Sequence, residues 1–122
     1  MLHIEARHDA LAAITARLSR GDRPGTLRIT DNAGRQMTEH ALSVPAFQAP
    51  AEGRTTSNAI ASAPITATGK AARFTFHDPN GVAVFSGAVG IPGSGADLVF
   101  PSVDWTQGEM LDLDPYTLAL PA

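Results

Sequence analysis

The run His77-Asp78-Pro79-Asn80-Gly81 sets an imidazole beside a carboxylate, the two groups from which a general base and its orienting acid are built. That chemistry also needs a nucleophile. No serine stands in a G-x-S-x-G setting. There is no cysteine, which excludes thiol catalysis, disulfides and zinc ribbons. The same five residues have a complete structural reading. Proline presets φ for the second position of a type I turn, asparagine tolerates the third, and Gly81 supplies the left-handed residue that closes a hairpin. Neighbours in a strand point to opposite faces, so His77 and Asp78 can cooperate only at the turn itself. The expectation is a hairpin turn without a catalytic residue.

Other candidate groups fare no better. His3 and His8 are five apart in a helical stretch and fall on different faces, whereas a helical ligand pair sits three or four apart. His40 and His77 lie in no metal-binding context. Asp104, Glu109, Asp112 and Asp114 cluster in sequence without the pattern of a calcium loop. Asp104 and Glu109 are also the nearest candidates for a glycan hydrolase, which needs two carboxylates about 5–9.5 Å apart. Gly93-Ser94-Gly95 lacks the following Lys-Ser/Thr of a phosphate-cradling loop. No catalytic, cofactor-binding or metal-ligating residue is expected, and the reading is of a protein that binds rather than catalyses.

The elements that would hold these residues follow from periodicity. Ile4, Leu11, Ile14 and Leu18 lie on one stripe of a 3.6-residue repeat, predicting an amphipathic helix over 4–20 that Gly21, Pro24 and Gly25 end. That stripe packs on the chain's own sheet or on another subunit. From residue 26 the period becomes two. Strands are expected at 26–30 and 40–44, with Leu42 and Val44 inward and Pro45 ending the second. Residues 46–57 read as a long loop that Phe47 anchors. Weaker strands are expected at 58–62 and 65–68. Ala72, Phe74 and Phe76 form one face of the strand before Asp78, and Val82 and Val84 one face of the strand after it. Strands at 97–100, 110–114 and 116–120 complete a β-rich body over 26–121. The fold class is mainly β: a small antiparallel sandwich or barrel preceded by one N-terminal helix, in one domain over 1–122.

Hydrophobic residues make up 43% of the chain but aromatics only 6%, so the core is thin and association with neighbours is a natural source of stability. The net charge of −3 argues against a general nucleic-acid binder. Residues 1–61 carry seven Arg/Lys against six Asp/Glu, and residues 62–122 two against six, so the acidic half presents a solvated face or meets a basic partner. No apolar run approaches the roughly 18 residues that span a bilayer, and the first residues show no signal peptide. Trp105 and Tyr116 are too few for a base-stacking platform. Trp105 reads as a core or interface anchor. Leu11, Ile14, Leu18 and Trp105 are the candidate interface residues.

The order of short segments adds a resemblance. It runs through 16-ARLSRG-21, 24-PGTLRI-29, 66-TATG-69, 73-RFTFHDPNG-81, 86-SGAVG-90, 95-GADL-98 and 117-TLALP-121. This looks like a group of small virion-associated proteins encoded by tailed bacteriophages and prophages. The likeness covers most of the chain but rests on turn and strand signatures, and 36–44 and 101–107 fit it less well. It implies a virion component without catalytic residues. The first form of that expectation is a capsid decoration or cement protein that self-associates and binds the major capsid protein. The second is a tail, baseplate or fibre-associated component.

Overall fold

The computed structural model describes residues 4–20 and 23–119, the side chains of residues 20 and 119 excepted. His3, Leu120 and Pro121, used in the sequence reading, lie outside them. The chain is mainly β: one N-terminal helix leads into a mixed sheet with a half-barrel curl.

Helix α1 spans Ile4–Ala16, shorter than the expected 4–20. The Thr15 hydroxyl donates back to the Leu11 carbonyl at 2.9 Å, a bond that weakens helix continuation. Leu18 then turns into the core. The residues after it form a small ladder of β1 (Ser19–Arg20) with β2 (Arg23–Pro24).

The main sheet runs in the order β4 (Gln36–Ala41), β3 (Thr26–Asp31), β7 (Gly69–His77), β8 (Ala83–Gly90), β9 (Leu98–Val99). β4, β3, β7 and β8 pair antiparallel, and β10 (Asp104–Trp105) pairs with the start of β7. β9 lies parallel to β8, which corrects the all-antiparallel expectation. The period-two pattern sets the faces. One cross-strand row is His40, Leu27, Phe76 and Phe85; the next is Thr38, Ile29, Phe74 and Gly87. Phe76 stacks on Phe85 at 4.5 Å, and Tyr116 and Phe47 close over Phe76 at 5.6 and 5.8 Å. Phe47 anchors its segment as expected.

Several strands differ from the sequence reading. The expected strand at 40–44 sits four residues earlier. Met37, Thr38 and His40 are buried, while Val44 is 45% exposed. Leu42 leaves the strand to donate its N–H to the Gly25 carbonyl. A register shift between Thr30 and Asp31 makes Ala71, not Ala72, the more buried residue at the start of β7. Another between Phe76 and His77 leaves Val82 exposed and brings Phe85 against the core. No strand occupies 58–62 or 65–68. Instead β6 (Ala63–Pro64) pairs with β11 (Met110–Leu111). The 46–57 loop contains β5 (Arg54–Thr56), which pairs with β12 (Thr117–Ala119).

Candidate functional site

The opening His-Asp motif is a turn. Asp78 is buried. Its Oδ1 accepts the Asn80 and Val82 amides, each at 2.9 Å, and its own N–H and C=O bond Val82 and Gly81. Gly81 has φ of 82°, a left-handed conformation that costs glycine little. Asn80 Oδ1 accepts from Arg23 at 3.1 Å and ties the turn to β2. Turn geometry therefore occupies this carboxylate. His77 faces the outer side of the sheet beside Arg28 and Glu39, whose Nε and Oε2 form an ion pair at 2.6 Å. Its Nδ1 is buried without a hydrogen-bond partner. Burial first, and the Arg28 charge second, lower its pKa, so the ring is neutral near pH 7.

The other described histidines are also structural. His40 is fully buried, with Nδ1 2.8 Å from the Ala61 carbonyl and Nε2 2.9 Å from Thr38 Oγ1. A carbonyl only accepts, so Nδ1 carries the proton and Nε2 accepts from the threonine. Burial lowers its pKa against the opposing effect of that carbonyl. His8 Nε2 accepts the Gly53 amide at 2.8 Å and docks α1 on the turn before β5. A Cβ at Gly53 would press closest on the tip of the flexible Arg7 side chain, so it is the φ of 78° that favours glycine there. Among the described residues no three His, Cys, Asp or Glu side chains stand where they could hold a metal ion.

The acidic segment is dispersed. Asp104 pairs across to Lys70 in the β10–β7 ladder and lines an open groove of about 700 Å³. Glu109 closes the Thr106–Glu109 turn, and its carbonyl accepts Ile65 N–H. Asp112 accepts from the Ser62 hydroxyl. Both candidates for glycan chemistry are exposed. Ser94 Oγ bonds the Ile91 carbonyl inside its own turn.

Three of the four candidate interface residues are buried inside the chain. Leu11 and Leu18 are fully buried. Trp105 is buried edge-on against Phe100 at 5.2 Å and donates Nε1–H to the Ser102 carbonyl. Ile14 alone of the four keeps partial exposure. Ile91 and Val99, each 48% exposed, are the apolar surface the sequence reading passed over. Val99 belongs to β9, the two-residue strand that ends the sheet, and Ile91 directly follows β8, the strand paired with it. The signal was present: GIPGSG before and Pro101 after leave room for only a very short strand.

β9 also borders a groove of about 450 Å³, whose far wall is residues 112–117. Leu98, Phe100, Leu113 and Tyr116 are among its apolar lining, and Asp97, Asp112 and Asp114 its acidic lining. Burial, then the charge of Asp97, raise the Tyr116 phenol above its usual range. Such an arrangement can bind an extended, basic segment. No known protein family, curated protein or solved structure matches the chain.

Proposed function

We propose that the chain is a non-enzymatic bacteriophage virion protein that decorates the capsid lattice. One observation carries the reading. Asp78, His40 and His8 are taken into turns, core and helix docking, while the apolar side chains of Ile91 and Val99 stand exposed at a sheet edge. Sheet edges are surfaces that other chains pair with. The order of turn and strand segments, similar to that of small phage proteins, supports the same reading. Repeated weak contacts suffice on a lattice, because many identical sites hold many copies. In this reading the half-barrel is the open form of a small sandwich or barrel, completed at the gap between β9 and residues 112–117.

Immunogold electron microscopy on particles of the encoding phage or induced prophage tests it. Gold over the head is the expected result. Gold confined to the tail replaces decoration with a tail or baseplate role. Absence of gold from particles, with the protein made and its epitope accessible, overturns the virion reading.

A further inference from the structure

The geometry points to a head-to-tail contact between copies of this chain, in which the groove beside β9 receives the basic β1–β2 end of a neighbour. Three observations meet here. The first is an unpaired edge. Phe100 N–H donates to the Gly90 carbonyl at 2.9 Å, so the preceding residue, Val99, turns its N–H and C=O away from β8. β9 ends the sheet on that side.

The second is charge. Asp97, Asp112 and Asp114 line the groove, and no Lys or Arg does. At the other end of the sheet, Arg17 and Arg23 are exposed around the β1–β2 ladder. The third is distance. Arg23 bonds Asn80 in the turn that precedes β8, whereas the groove borders the strand paired with the far end of β8. Among the described residues no ion pair joins the acidic groove to the basic ladder. Between copies they form a heterologous contact, which closes into a ring or extends as a filament.

The contact does not depend on the virion reading. Sedimentation velocity of the full chain tests it. The expected result is a mass that rises with concentration from about 10 μM towards about 1 mM. The association should fall in about 1 M salt, where the Debye length is about 3 Å. Arg17→Asp and Asp114→Arg, both at exposed positions, should each weaken association about tenfold or more. An equimolar mixture of the two should recover pairs, because one variant keeps an intact groove and the other an intact basic end. Far-UV circular dichroism verifies that each variant folds. If a reversal unfolds the chain, Arg17→Gln and Asp114→Asn take its place. A chain that stays monomeric at about 1 mM, association indifferent to salt and to both substitutions, or a mixture no better than its components would each overturn the contact. Association without particle labelling leaves the contact standing and removes the virion reading.

Discussion

Phe74 lies directly over Gly87 on the neighbouring strand: a Cβ built at Gly87 would stand 2.7 Å from two atoms of the ring and 2.7 Å from Asp97 Oδ2. Glycine is thus what lets the ring settle across β8, where Tyr116 reaches it at 5.3 Å. Gly87→Ala should cost about 1–3 kcal/mol, the usual penalty for overpacking. Urea unfolding should show a lower midpoint at unchanged slope. A midpoint equal to that of the parent would mean the ring has room to move.

Asp78 separates a turn from an active site by its conservative variant. Asp78→Ala removes the acceptor of two amides and should destabilise by about 1–2 kcal/mol. Asp78→Asn keeps an oxygen at the same place and should retain most of that stability. Equal loss in both variants in thermal melts would show that the charge matters more than the hydrogen bonds.

His40 and His77 make stability fall in mild acid. Both pKa values are lowered in the fold by burial, from an ordinary value of about 6.5. Above that value both rings are neutral, folded or unfolded, and contribute no pH dependence. As pH falls below it, the unfolded chain takes up protons that the folded chain refuses, so stability drops until the lowered folded values are reached. Urea titrations between about pH 7 and 5 should show this slope. His40→Gln should reduce it, and adding His77→Gln should reduce it further. An unchanged slope in the double variant would assign it to other groups.

Two helix positions, Leu11 and Ile14, and Leu18 just beyond the helix should divide by burial. Leu11→Ala and Leu18→Ala remove side chains that are fully enclosed and should each cost about 2–5 kcal/mol. Ile14→Ala, at a half-exposed position, should cost about 1 kcal/mol or less. Equal costs at all three in chemical denaturation would mean that the helix does not dock as described.

How much was legible in the sequence varied with the range of the forces involved. The Asp78–Gly81 turn and the strand expected at 26–30 are local decisions, written in proline, glycine and alternating residues; the turn stands where expected and the strand runs one residue further, to Asp31. The strand expected at 40–44 was not decided locally. Leu42 is buried as expected but outside the strand, Val44 is as apolar and stays exposed, and pairing with β3 turned Met37, Thr38 and His40 inward. β6 is two residues long and exists only because it meets β11, so no periodicity announces it, whereas β11 keeps two residues of the strand expected at 110–114. The candidate surface was missed for a related reason. Leu11, Leu18 and Trp105 are the large apolar residues a sequence draws attention to, and the core takes such residues first. Ile91 and Val99 looked ordinary by comparison.

The turn at Asn80 and Gly81 also bears on how the molecule ages. An asparagine followed by glycine is chemically fragile, because the glycine nitrogen can attack the asparagine side-chain carbonyl and close a succinimide ring. Here the Gly81 N–H is held by the Asp78 carbonyl at 2.9 Å, and the Asn80 side-chain oxygen is held by Arg23. These two bonds restrain the nucleophile and the target in the folded chain, and unfolding releases both. Isoaspartate at Asn80 should therefore form faster in a urea-unfolded sample than in a folded one.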